Sequence, residues 1–116
     1  MKLITAIVQP FMLTKVMHQL ESVSGFPGMT VTDVRGFGRE KTQHESGHRH
    51  RPSEDATDFV KKIRIDIAAP DVLANEIVNV LVGAAHTGNE GDGKVFVCPL
   101  EGAVRIKTGE TGDAAL

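Results

Sequence analysis

The chain has no tryptophan, no tyrosine and a single cysteine, and its five aromatic residues are all phenylalanine. One cysteine, Cys98, excludes an intrachain disulfide and any cysteine-based zinc site. It stands in the apolar run Val95-Phe96-Val97-Cys98 and is expected to be a small buried hydrophobe. No stretch approaches the ~20 apolar residues that cross a bilayer. The opening Met1-Lys2-Leu3-Ile4-Thr5-Ala6-Ile7-Val8 meets Gln9-Pro10 too early to be a signal peptide. A cytoplasmic protein without membrane insertion is the expectation. Charge of one sign is lacking too: 13 Lys and Arg against 15 Asp and Glu leave a net charge of -2, which argues against a nucleic-acid binder that works by neutralising phosphates.

What is present is an aliphatic core. With 41% hydrophobic residues in 116, the chain can bury one core, and residues 1–116 are read as a single domain. Residues 2 to 8 are apolar at nearly every position with a β-branched bias, the pattern of a strand buried on both faces. From 12 to 24 the period changes, and Leu13, Val16, Met17, Leu20 and Val23 form one helical stripe that Gly25, Pro27 and Gly28 stop. Residues 29 to 37 alternate again as a second strand. The second half repeats the plan. Ile63, Ile65 and Ile67 alternate with Lys62, Arg64 and Asp66; Pro70-Asp71 opens a helix carrying Leu73, Ile77, Val80, Leu81 and Ala84; residues 94 to 98 form a strand. Val104 and Ile106, alternating with Arg105 and Lys107, predict a short final edge strand. Two βαβ units with antiparallel pairing between them make an α+β ferredoxin-like sandwich, with one mainly antiparallel sheet and both helices on one face. The other face of that sheet is left to be covered by further copies in a closed oligomer.

Residues 39 to 58 break this economy, because they carry no periodicity and almost no apolar content. Loops longer than ~12 to 15 residues are uncommon in compact domains unless functional or disordered. Two glycine-rich segments flank the regular elements: Gly36-Phe37-Gly38-Arg39, and Thr87-Gly88-Asn89-Glu90-Gly91-Asp92-Gly93-Lys94. Glycines let backbone N–H groups converge on an anion, and the lysine adds a point charge. Neither segment is a Walker A motif, since no Ser or Thr follows Lys94 and no helix opens there. Alone, each reads as an ordinary turn. Together with the cation pairs Arg105/Lys107 and Lys62/Arg64, in a chain of net charge -2, they point to polyphosphate recognition. No nucleophile motif accompanies them and the carboxylates are scattered, so a binding protein rather than an enzyme is expected.

These segments, with Val104-Arg105-Ile106-Lys107-Thr108-Gly109-Glu110, the ending Asp113-Ala114-Ala115-Leu116 and the opening Ile7-Val8-Gln9-Pro10-Phe11, resemble the PII signal-transduction proteins along the whole chain except the long loop. The resemblance implies a homotrimer that binds adenine nucleotide (ATP, ADP or AMP) in the clefts between subunits. It also implies a loop, the T-loop, that contacts an enzyme or a membrane transporter in nitrogen regulation. Carried over residue by residue, Gly36, Phe37, Gly38, Arg39, Glu40, Lys62, Thr87, Gly91, Asp92, Gly93 and Lys94 belong to the nucleotide site. Arg105 and Lys107 contact phosphates, and Thr30 and Ala68 lie near the adenine, on neighbouring subunits.

Two departures stand out. The family's glutamine after Gly-Phe-Gly-Arg helps to hold Mg²⁺ and 2-oxoglutarate, and here it is Glu40, which repels a dicarboxylate although it can hold a cation. The family's modifiable loop tyrosine is missing. The loop carries His44, His48 and His50 instead, and with Phe26-Pro27-Gly28 and Arg51-Pro52-Ser53-Glu54-Asp55 it resembles a divergent PII-like branch linked to transport. Imidazole suits Zn²⁺, Cu²⁺ and Ni²⁺. The three histidines are therefore read either as transition-metal ligands or as a solvated cluster titrating near ~6.5. In the alternative reading, a divalent-metal module resembling the CutA cation-tolerance proteins, those histidines are the purpose of the chain. Zinc titration of the wild type against a His44/His48/His50 triple-alanine variant separates the two: binding confined to the wild type identifies a site, and equal curves leave a solvated loop.

Overall fold

A computed structural model describes residues 1–38 and 59–116. Among them run β1 (Lys2–Val8), a 3-10 turn (Pro10–Met12), α1 (Leu13–Glu21), β2 (Thr30–Gly36), β3 (Val60–Ala69), α2 (Asp71–Ala85), β4 (Lys94–Pro99) and a second 3-10 turn (Gly112–Ala115). The strands form one sheet in the order β2-β3-β1-β4, antiparallel throughout. This is the expected ferredoxin-like α+β arrangement.

Register explains the core. In β1, Ile4, Ala6 and Val8 lie opposite Ile67, Ile65 and Ile63 of β3, and all six are buried. Side chains directly opposite in an antiparallel pair share a face. That face therefore meets the helices, whose Val16, Leu20, Ile77, Leu81 and Ala84 complete the same buried cluster. Each fully buried Leu, Ile or Val contributes about 1.5–3 kcal/mol. Local chemistry sets the helix ends. Pro10 suits the first turn because its missing N–H has no partner there anyway. Ser22 closes α1, its N–H and its hydroxyl both donating to the Gln19 carbonyl at 3.3 and 2.7 Å, and Gly25, at φ +80°, turns the chain three residues further on. At α2 the N-terminal ammonium lies 3.0 Å from Asp71, whose charge also suits the positive end of the helix.

The opposite face is open and mixed. Leu3, Thr5 and Ile7 of β1 stand beside Ala68, Asp66 and Arg64 of β3 and beside Cys98, Phe96 and Lys94 of β4. Cys98 is exposed, contrary to the expectation of burial. An apolar run alone does not say which face each residue takes, and the pairing of Cys98 with Leu3 puts the thiol on the side without helices.

The expected final strand is also absent. Val104 makes a single bridge to Thr111, and the chain turns back tightly, with the Arg105 N–H donating to the Glu110 carbonyl (2.8 Å) and the Gly109 N–H to the Arg105 carbonyl (2.7 Å). Among the described residues no strand lies alongside this segment, and Gly109 at φ +76° folds it onto itself. Arg105 and Lys107 therefore sit on a turn rather than on one face of a strand.

Two substitutions test this account of α2. Gly83, exposed in the helix with nothing within 4 Å of an added Cβ, becomes more stable as Gly83→Ala by about 0.5–1 kcal/mol. Ile77→Ala leaves a cavity at a fully buried position and costs about 2–5 kcal/mol. Urea unfolding measures both.

Candidate functional site

The segment between α2 and β4 is built around one carboxylate. After Ala85 the backbone becomes extended at His86, and three glycines follow in the left-handed region: Gly88 (φ +88°), Gly91 (φ +87°) and Gly93 (φ +100°). Asp92 reaches back to the start of the turn. Its Oδ2 accepts the Thr87 N–H at 2.7 Å and the Gly88 N–H at 2.9 Å, and its Oδ1 accepts the Thr87 hydroxyl. The same hydroxyl oxygen accepts the Asn89 N–H at 3.1 Å. The Thr87 hydroxyl, then the two amides, and more weakly His86 with Nδ1 at 3.6 Å, hold the Asp92 carboxyl below its ordinary value. Asp92 therefore orders the turn from inside.

The turn is also fixed from outside. A Cβ on Gly93 would lie 1.7 Å from the Ile7 carbonyl oxygen, so only glycine fits where the backbone enters β4 and aligns Lys94 with Ile7. A Cβ on Gly91 would stand 2.8 Å from the Gln9 Nε2 and 3.3 Å from the Lys62 Nζ. The Lys62 ammonium donates to the Gly91 carbonyl. The structure thus brings together Lys62, Thr87, Gly91, Asp92, Gly93 and Lys94 of the sequence-predicted set. Gln9, read from sequence only within the opening motif, joins them because the end of β1 abuts the glycine turn.

Gly36, Phe37 and Gly38 lie towards the same end of the sheet, since Gly36 is opposite Val60, and Val34 is opposite Lys62. Phe37 meets Phe59 with ring centroids 5.8 Å apart, and the Arg35 guanidinium lies 5.6 Å from the Phe59 ring centroid. Arg39, Glu40, His44, His48 and His50 lie outside the described residues.

Thr30, Ala68 and Arg105 gather elsewhere. With Pro27, Gly28, Met29, Asp66, Ala115 and Leu116 they line a shallow pocket of ≈440 Å³. The Arg105 Nη2 donates to a main-chain oxygen of Leu116 at 2.9 Å, and Lys107 is exposed on the same turn. Along β3, Lys62 and Ala68 are six residues apart, about 20 Å at the rise of an extended strand. The predicted site residues therefore form two groups at opposite ends of the sheet. Asp66 was missed by sequence reasoning. Its place opposite both Thr5 and Thr30, beside Ala68, appears only once three strands are in register.

Comparison with known proteins matches residues 1–110 to the family described as nitrogen regulatory protein P-II. The chain belongs to the P-II family. It is 44% identical over 116 residues to the nitrogen regulatory protein GlnK of Escherichia coli K12, with all of both chains covered. Identity to the nitrogen regulatory protein P-II of Azospirillum brasilense is also 44% over 116 residues, again with full coverage. The fold is similar to that of Arabidopsis thaliana PII, solved bound to citrate, with a TM-score of 0.78 and 33% identity over 99% of this chain and 91% of that one. A regulatory role in nitrogen signalling follows for this P-II chain, and the CutA-like reading is not favoured. Among the described residues no helix is long and apolar enough to cross a membrane.

The Asp92 network predicts a pH dependence. Because the carboxyl is held below its ordinary value of 3.8, its contribution is complete above that pH and is lost as pH falls through the lower folded value. Amide exchange at Thr87 and Gly88 should therefore speed up in that acid range more than at Ile65. In Asp92→Ala it should be fast at every pH, and hydrogen-exchange NMR reads both.

Proposed function

We propose that this P-II chain senses adenine nucleotide (ATP, ADP or AMP) at sites shared between the copies of a closed homotrimer. It then acts on a protein partner, an enzyme or a membrane transporter, through residues 39–58. The observation that carries this reading is the separation of the site residues into two groups about 20 Å apart along β3. One group holds the glycine turn, Lys62 and Lys94; the other holds Thr30, Ala68 and Arg105. A single nucleotide bridges them only if the second group comes from a neighbouring copy. The half-apolar open face, with Leu3, Ile7 and Phe96, supports such an assembly, since apolar surface gathered on one sheet face gains most when another copy covers it.

In this reading the Gly91 to Gly93 turn offers N–H groups to the phosphates, with Lys94, Arg105 and Lys107 as cations. Thr30 and Ala68 take the base. Mg²⁺ would sit near Glu40, and the carboxylate there weakens any 2-oxoglutarate response. Asp92 shapes the turn rather than touching phosphate, because both its oxygens already accept hydrogen bonds from Thr87 and Gly88.

Calorimetry and light scattering test the proposal together. The wild type should scatter as a trimer at micromolar concentration and bind ATP. Lys94→Ala should weaken that binding at least tenfold, in line with the ~2–5 kcal/mol lost when one partner of a desolvated charge pair is removed. Adding Mg²⁺ and 2-oxoglutarate should change the wild-type isotherm little. A monomer, or unchanged affinity in Lys94→Ala, places the function elsewhere.

A further inference from the structure

His86 stands where α2 ends and the glycine turn begins, and the proposed function gives it no role. Its ring meets the turn on two sides. The Nδ1 lies 3.6 Å from the Asp92 Oδ2, and the Nε2 and Cε1 lie beside Gly88, 3.8 and 4.0 Å from where an added Cβ would stand. At 3.6 Å no hydrogen bond forms, so a neutral imidazole gains little from the carboxylate, whereas a protonated one is attracted through its charge. The contact is one that a proton turns on.

The surroundings decide its sign. Asp92 uses three of its about four lone-pair directions on the Thr87 N–H, the Thr87 hydroxyl and the Gly88 N–H, which leaves room for a cation. The last carbonyls of α2 add negative potential at the same place, and no basic residue in the final turn of α2 answers it. Against these stands Lys94 of β4, which lines the same groove as His86 and Asp92. β1 and the body of α2 contribute only apolar side chains to that groove. Within the turn Glu90 is a second carboxylate, and the Lys62 ammonium of β3 is directed to the Gly91 carbonyl.

We propose that His86 is a proton sensor for the glycine turn: charged, it closes on Asp92, holds the turn in the shape that offers N–H groups to phosphate, and strengthens nucleotide binding as pH falls. The inference rests on the adenine-nucleotide reading above. Histidine is the side chain whose charge changes between pH 5 and 8, so the response falls in the physiological range. Asp92 stays ionised throughout that range, because its carboxyl is held below 3.8. The added order is therefore present while the imidazole is protonated and is lost as pH rises through its titration. His86 is a positioning residue, since it acts through Asp92.

Two measurements on the full chain test this, each on the wild type, His86→Gln and His86→Lys. Hydrogen-exchange NMR of the nucleotide-free protein gives protection factors at Thr87 and Gly88 from pH 6 to 8, corrected for the intrinsic exchange rate. Calorimetry gives the affinity for ATP with Mg²⁺ at both ends of that range. In the wild type, protection should fall about two- to fivefold as pH rises, the size expected of one exposed ion pair, with Ile65 unchanged. His86→Gln should sit at the lower level at every pH, and His86→Lys, which keeps the charge, at the upper one. The affinity for ATP should follow the same order, since the titration of ATP and of the other histidines is common to all three proteins and cancels between them. A pH profile shared by the wild type and His86→Gln in either measurement overturns the inference and leaves the nucleotide site standing. A wild-type slope in His86→Lys also overturns it. Absence of ATP binding at both pH values overturns the nucleotide reading itself, while the protection factors still decide whether His86 senses protons.

Discussion

The loop end of the sheet depends on one close approach, the passage of the Gly93 backbone against the Ile7 carbonyl, where an added Cβ would come to 1.7 Å. That contact fixes where β4 begins, and so aligns Lys94 with Ile7 and Phe96 with Thr5. It also draws the preceding turn over the end of β1, within reach of Gln9 and of Lys62 on the next strand. Asp92 could not reach the start of the turn if the end were not anchored. Backbone sterics, rather than charge, thus set where Lys94 stands relative to the end of β1.

The core was legible because its signal is periodic. Ile63, Ile65 and Ile67 alternate, and the stripe from Val16 through Leu20 to Val23 repeats at helical spacing, so burial followed directly from sequence. Both structural misses come from questions that periodicity does not pose. Val104 to Lys107 alternates as a strand should, but a strand also needs a neighbour, and none lies beside it among the described residues. Cys98 sits in an apolar run, but facing is decided by its partner Leu3, which lies ninety-five positions earlier in the chain. The glycine turn was legible as composition, whereas the work of Asp92 was not, because the number and direction of its hydrogen bonds depend on the left-handed glycines around it.

The two groups of candidate residues are built differently. On the proposed reading the backbone around Gly91 and Gly93 faces the phosphates, and Asp92 and Lys62 hold that backbone in shape through their hydrogen bonds to it. Around Thr30 and Ala68 the pocket is lined largely by side chains carried on paired strands, and on the same reading these take the base. A backbone surface suits a phosphate chain, which is the same in every nucleotide. A lining of side chains suits the part that differs between nucleotides.

The strand order carries a consequence for how the chain acquires its structure. β1 pairs with β3 and β4, and β2 pairs with β3, so no two strands of the first half touch each other. As residues emerge in order, β1, α1 and β2 can form no sheet hydrogen bond among themselves. The central strand waits for partners whose register runs from Lys2 to Ala69 and from Lys2 to Pro99. Such long-range pairing closes large loops before it gains any contacts, which slows folding and leaves the apolar β1 exposed meanwhile. The two βαβ halves look alike in sequence pattern, yet neither is a folding unit.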